Sequence, residues 1–295
     1  MTLREQLTKP EYLFQPSRLL RRIARRTTPR GADGSYVLRL PWGVCLRVQR
    51  MDDIGRAVDT FGVFDLVVTE AVWRLLQPGD TALDVGANVG YMSLVMMARL
   101  KTRGRVFAFE PHPGLFDDLK RNVADALLRL GPVDVQVRPE GLSDVSGTAA
   151  LFVPNGFENN RGLARIDAAG RGIPISVCRL DDMATEIGAD VRLMKIDVEG
   201  HEASALRGAT ALLEGGVIRN VIIEEHAPYP TEATSLLERY GYKLFSLERA
   251  LFGARLGDAA RPHRTSWEAP SLLATREPQS AIEAFRRPGW RCLST

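Results

Sequence analysis

Cysteine is scarce in this 295-residue chain: Cys45, Cys178 and Cys292 are odd in number and far apart. A disulfide framework and any C-x-x-C metal or redox motif are therefore excluded, and a reducing cytoplasm is the expected compartment. Long apolar runs are lacking as well. None approaches the ~18 residues of a membrane-spanning helix, and arginines interrupt the N-terminus where a secretion signal would be apolar. The G-x-G-x-x-G fingerprint of dinucleotide-binding folds is missing. So are internal repeats, low-complexity tracts, N-P-P-Y-type motifs and aromatic-rich basic patches, and no nucleic-acid partner is expected.

What is present is ordinary in bulk and uneven in charge. A 45% hydrophobic fraction over this length suffices for the core of one large α/β domain with extensions. Net charge is +3, yet residues 1–30 hold eight Lys and Arg against Glu5 and Glu11, so the rest of the chain is neutral to slightly acidic. A basic helical arm of this kind suits peripheral contact with an anionic membrane and equally well plain solvation.

Periodicity gives the elements. Residues 35–50 alternate around Pro41–Gly43 and predict a small hairpin. Apolar spacing from Phe64 to Leu76, closed by Pro78–Gly79, predicts a helix. From Thr81 short apolar strands (Ala82–Val85, Arg105–Glu110, Val133–Arg138, Val191–Asp197, Val217–Glu225) alternate with helices (Tyr91–Leu100, Leu115–Leu130, Glu202–Leu213). That rhythm argues for a parallel sheet covered on both faces. Residues 140–180 interrupt it with two strands around a long loop; Thr231–Tyr240 reads as a helix and Tyr242–Leu247 as a strand. The stretch from 250 is poorly patterned, with one candidate strand in "PSLLATRE". The division is residues 1–60 as basic arm and hairpin, 61–280 as the main domain with an insert loop at 150–180, and 281–295 as a tail.

The chemistry starts at "TALDVGANVGYMS". A strand ending in Asp84 turns through Gly86 and Gly90 into a helix, which places backbone N–H groups at the sheet's carboxyl edge. Asn88 stands where a pyrophosphate-binding turn needs its second glycine, which counts against NAD. Glu110, at the end of the next strand, is placed to accept hydrogen bonds from two ribose hydroxyls. A nucleoside without a phosphate clamp fits this pattern, and S-adenosylmethionine is such a ligand.

"LDVGANVGYMS", "FAFEPHP" and "MKIDVEGHEASALRGA" together resemble the FkbM-type S-adenosylmethionine-dependent methyltransferases, over about Phe64 to His226. The resemblance implies a Rossmann-like class I methyltransferase fold: a seven-stranded, mostly parallel sheet with helices on both faces and one antiparallel strand near the end. It implies O-methylation of a hydroxyl on a sugar, glycan or natural product. It also implies cofactor contacts by Asp84, Gly86, Asn88, Gly90 and Tyr91 at the turn, by Glu110 and Pro111 at the ribose, and by Ser143 and Asp144 near the adenine. For Asp144 a plain turn remains an alternative.

A second acidic group follows. "LMKIDVEGHE" ends a strand in Asp197, and "IIEEH" supplies Glu224 and His226. If these strands are neighbours, their ends meet beside the cofactor. Methyl transfer to a hydroxyl needs alignment and removal of a proton. His226 suits the proton, since imidazole exchanges protons near neutral pH. Alternatively Asp197 and Glu224 could hold Mg²⁺ and acidify a bound hydroxyl. Glu199 and Glu202 read as acids at a helix N-terminus, His201 as an exposed helix-start residue, and Lys195 as the partner of a carboxylate. The competing classes are an NAD-type oxidoreductase and a non-catalytic nucleoside-binding or membrane-peripheral protein.

Overall fold

The computed structural model describes residues 10–11, 34–49, 52–154, 156–157, 161–167, 169–261 and 270–293. The basic arm therefore lies outside the described residues, apart from Pro10 and Glu11.

A hairpin opens the described chain, β1 (Ser35–Arg39) pairing antiparallel with β2 (Cys45–Gln49). Two helices follow, α1 (Asp53–Phe61) and α2 (Leu66–Leu75), capped by the side chains of Asp52 and Asp65. The alternating region comprises β3 (Thr81–Val85), α3 (Tyr91–Leu100), β4 (Arg105–Phe109), α4 (Pro113–Leu130) and β5 (Asp134–Arg138). After the insert come β10 (Leu193–Ile196), α5 (Glu202–Arg207), α6 (Thr210–Glu214), β11 (Asn220–Glu224) and α7 (Glu232–Arg239). The chain closes with β12 (Lys243–Ala250), β13 (Gly253–Asp258), β14 (Ser271–Thr275) and α8 (Pro278–Arg286).

The main sheet runs β13-β12-β14-β11-β10-β3-β4-β5. β5, β4, β3, β10 and β11 are parallel, and β14 enters antiparallel between β11 and β12. The expected seven-stranded sheet is thus present, with β13 added at its edge as the partner of β12. Alternation along each strand feeds two cores. Ala82, Val106, Leu193 and Ile222 face α2, α3 and α4, while Leu83, Phe107, Met194 and Ile223 face α5, α6 and α7. β3 and β10 lie side by side at the centre, so the residues following them meet at one edge.

Four regions differ from the sequence reading. The helix α1 was not expected, because Gly55 lies inside it; a Cβ there would come within 2.8 Å of Val48 Cγ2, so glycine serves close packing on the hairpin. The insert is a small four-stranded sheet, β6 (Glu140–Leu142), β9 (Ile173–Cys178), β7 (Gly147–Phe152) and β8 (Arg165–Ile166) in that order, with its own core of Leu151, Ile175 and Val177. β6 and β8 have 3 and 2 residues, too short for any periodicity to show. The helix expected over Glu202–Leu213 is broken at Gly208, where a Cβ would collide with the Ser143 carbonyl oxygen. Finally, the region beyond 250 is well packed: β13, β14 and α8 are all formed, and Trp290 and Cys292 are fully buried.

Candidate active site

Gly86 and Ala87 donate from their N–H groups to the Phe109 carbonyl at 3.1 and 2.9 Å, which pins the turn after β3 to the end of β4. Asn88 takes a left-handed conformation with φ 53°, and its Oδ1 accepts from Val89 N at 2.7 Å. Gly90 caps α3 with φ 92°. The glycines serve packing as much as ligand access. At Gly86, with φ 77°, a Cβ would collide with the Asp197 carbonyl; at Gly90 it would come within 2.8 Å of Leu119 Cδ1. Gly86→Ala is therefore expected to destabilise the fold by about 1–3 kcal/mol through backbone strain and to weaken cofactor binding by separating β3 from β10. Thermal unfolding with and without S-adenosylhomocysteine measures both.

Asp84 is fully buried behind the turn. Its Oδ2 accepts from Ser93 Oγ at 2.6 Å and its Oδ1 lies 4.0 Å from Lys195 Nζ. Burial pushes its carboxyl up, opposed by Lys195 and Ser93. Lys195 Nζ donates to Asp197 Oδ2 at 3.0 Å, and the expected carboxylate pairing of this lysine is observed. Burial alone would depress the ammonium, but Asp197 and Asp84 outweigh it and raise it, so Lys195 stays charged. Glu110 has both carboxylate oxygens engaged: Oε2 accepts from Asn88 N at 2.8 Å and Oε1 from His112 N at 2.9 Å. Burial pushes its carboxyl up to about 7, with the two N–H donors opposing.

The ends of β10 and β11 supply the second group. His226 Nε2 lies 3.7 Å from Glu199 Oε2 and 3.8 Å from Glu224 Oε1. Burial, and after it the neighbouring Asp197, push Glu224 up to about 8. Burial raises Glu199 too. Glu202 Oε1 accepts from Gly200 N at 3.0 Å, so it serves the start of α5. Glu225 turns away to Thr231 and Ala227. His201 is half-buried rather than exposed, with Nε2 3.0 Å from Ser143 Oγ. Asp144 Oδ2 accepts from Arg207 Nε at 3.2 Å.

One cavity of about 1460 Å³ joins these groups. Gly86, Asn88, Tyr91, Glu110, Pro111, Asp197, Glu224 and His226 all line it. Asp84 and Gly90 shape it from behind, and Ser143 and Asp144 lie outside its lining beside Leu142, which does line it. The Tyr91 hydroxyl is 3.1 Å from Thr69 Oγ1 in the core, so only the body of this residue borders the cavity. The opposite wall is made by Asp52–Val67, by Arg161–Ile166 of the insert and by Arg249. These segments carry no motif, and only the fold brings them to the cavity.

Residues 84–244 match the methyltransferase FkbM domain, more than half of the chain. The chain belongs to the FkbM methyltransferase family. It is 33% identical over 197 residues to the hexuronic acid methyltransferase AglP of Haloferax volcanii, covering 64% of this chain and 74% of that protein. It is 31% identical over 210 residues to the 31-O-demethyl-FK506 methyltransferase FkbM of Streptomyces tacrolimicus, covering 60% and 78%. A solved FkbM methyltransferase from Methylobacillus flagellatus KT aligns over 68% of this chain and 44% of that one, with 18% identity and a TM-score of 0.42.

An FkbM methyltransferase uses S-adenosylmethionine, and the residues present fit it. Glu110 offers a carboxylate to a diol, the turn is shaped by Asn88 rather than a second glycine, and Lys195, the cation beside it, is already neutralised by Asp197. Among the described residues no helix is long and apolar enough to cross a membrane.

Proposed function

We propose that this methyltransferase acts on a hydroxyl of a small molecule or sugar-type acceptor, and that His226 removes the acceptor proton. The observation that carries this reading is the position of His226 between Glu199 and Glu224, on the same cavity as Glu110. The relatives AglP and FkbM, named for a hexuronic acid and for FK506, support the acceptor class.

S-adenosylmethionine, when bound, supplies an activated methyl group on a sulfonium. The chain's own residues then have three tasks. Glu110 and the 86–90 turn hold the nucleoside and thereby fix where the acceptor must sit. His226 accepts the hydroxyl proton from the acceptor, with its Nε2 3.7 and 3.8 Å from the Glu199 and Glu224 carboxyls. Lys195 holds Asp197 in place at the end of β10 through its 3.0 Å bond.

Mg²⁺ at Asp197 and Glu224 is the weaker alternative. The Lys195 ammonium already occupies Asp197 Oδ2, and a divalent cation beside it would be repelled. Among the described residues no group of three or more His, Cys, Asp or Glu side chains could hold an ion. For the compartment, the three free cysteines support the cytoplasm.

His226→Ala is expected to lower kcat by about 100-fold or more, with S-adenosylhomocysteine affinity unchanged and the fold intact. EDTA is expected to leave activity as it was. Labelled-methyl transfer to a hydroxyl acceptor panel reads both. Full activity in His226→Ala removes the base assignment, and loss of activity in EDTA restores the metal.

A further inference from the structure

We infer that the acceptor carries an apolar body, of ring or short-alkyl size, next to the hydroxyl that is methylated. Its binding wall is formed by α1, residues 61–67 and residues 161–166. This rests on the methyltransferase reading above and concerns only the acceptor end of the same cavity.

The cavity is too large for the cofactor alone. At about 1460 Å³ it exceeds the ~300–1,000 Å³ typical of a single small-molecule site. The surplus lies against the catalytic group, since Phe61, Phe64 and Asp65 line the same cavity as Glu224 and His226. The insert faces α1 across this space: the Arg161 guanidinium acts on the Asp52 carboxyl.

The apolar side chains of this wall are left incompletely covered. Ala57, Phe61, Phe64 and Val67 line the cavity while only half-buried, and Leu163 opposite them is 42% exposed. Apolar groups gathered on a concave wall beside a reactive centre mark a binding surface. Most charged groups of the same wall already have a partner. Asp52 Oδ1 accepts from Ile54 N at 2.9 Å and Asp65 Oδ1 from Val68 N at 3.1 Å, each capping a helix. Asp52 Oδ2 has no partner among the described residues but is shut off from solvent. Arg161 Nη1 is bonded to Asp118 Oδ2 at 2.6 Å, Arg249 is paired with Glu11, and the Arg165 guanidinium lies over the Phe152 ring. A bare sugar needs a ring of free donors and acceptors, and this wall offers it few. A hydroxyl compound with a hydrocarbon or aromatic portion fits the apolar side chains that line this wall.

The test uses the full chain saturated with S-adenosylhomocysteine, titrated calorimetrically with methyl β-D-glucoside and with octyl β-D-glucoside below its micelle concentration. Each methylene buried raises affinity by about fourfold, so octyl glucoside is expected to bind at least about tenfold more tightly. Leu163→Ser and Phe61→Ser are each expected to shrink that advantage several-fold, with thermal unfolding confirming that the variants fold. Leu163 is exposed enough that its variant keeps the test valid even if Phe61→Ser unfolds. Equal binding of the two glucosides overturns the inference, as does an octyl preference untouched by Leu163→Ser and by a folded Phe61→Ser. If S-adenosylhomocysteine itself fails to bind, the methyltransferase reading fails and takes this inference with it. If it binds and the octyl preference is absent, only the inference fails.

Discussion

Glu110→Gln is expected to weaken S-adenosylhomocysteine binding by about 100-fold or more, because it removes a carboxylate placed to accept two hydrogen bonds from the ribose, each charge-assisted and together several kcal/mol. The local geometry argues for so large an effect. Asn88 N and His112 N both point at this carboxylate, at 2.8 and 2.9 Å, and a glutamine would turn its NH₂ toward one of them. The same residue gives cofactor affinity a pH dependence. With the Glu110 carboxyl pushed up to about 7 by burial, the acceptor form is lost as pH falls, and affinity at pH 6 is expected to be about tenfold below that at pH 8. The fold responds in the opposite sense. An acid whose value is higher folded than unfolded binds more protons in the native state, so the contribution of Glu110 to stability falls as pH rises from the ordinary 4.5 toward 7 and is then level. Glu110→Gln is expected to abolish the affinity slope and to reduce the stability slope, which the raised Glu224 carboxyl shares. Calorimetry at several pH values, with urea unfolding in parallel, measures them; an unchanged affinity in Glu110→Gln removes this residue from the cofactor site.

Arg74→Ala is expected to destabilise the protein by about 3–5 kcal/mol, the usual result of stripping one partner from a buried ion pair, and to lower the unfolding midpoint by about 10 °C. Glu70 and Arg74, one turn apart on α2, are completely buried and 2.6 Å apart. They tie the end of the described chain to the fold. Arg74 donates to the carbonyls of Ala284, Arg287 and Gly289 at 2.7, 2.8 and 2.6 Å, while Glu70 accepts from Arg291 N and Cys292 N at 3.0 and 2.9 Å. Trp42 Nε1 donates to the Cys292 carbonyl at 2.8 Å, so the hairpin is held by the same segment. Removing Arg74 leaves the Glu70 charge without its cation and three carbonyls without their donor. Because α2 starts at the cavity wall beside Asp65, acceptor turnover should suffer before cofactor binding does. A midpoint within 2–3 °C of the parent, less than ~1 kcal/mol for a chain of this size, contradicts the clamp.

Local pattern and long-range contact explain what the sequence revealed and what it concealed. The β3 turn, α3 and the position of Glu110 were legible because strand, glycine and acid each leave a mark within a few residues. Lys195 was legible as a carboxylate partner because an ammonium inside a buried strand demands one. Glu202 was legible as a helix-start acid for an equally local reason. The functions of Gly86 and Gly208 were not legible, since the groups they accommodate, the Asp197 and Ser143 carbonyls, are remote in sequence. His201 read as exposed because its partner Ser143 lies 58 positions away. The last described residues read as a loose tail for the same reason, their anchor on Glu70 being more than 220 positions distant. The acceptor wall was the least legible part, because the segments that build it share a surface and no motif.

The most direct measurement is calorimetric titration of the full chain with S-adenosylhomocysteine and, separately, with NAD. The expected result is one saturable site for S-adenosylhomocysteine, lost in Glu110→Gln, and no binding of NAD. Binding of NAD without binding of S-adenosylhomocysteine would contradict the account.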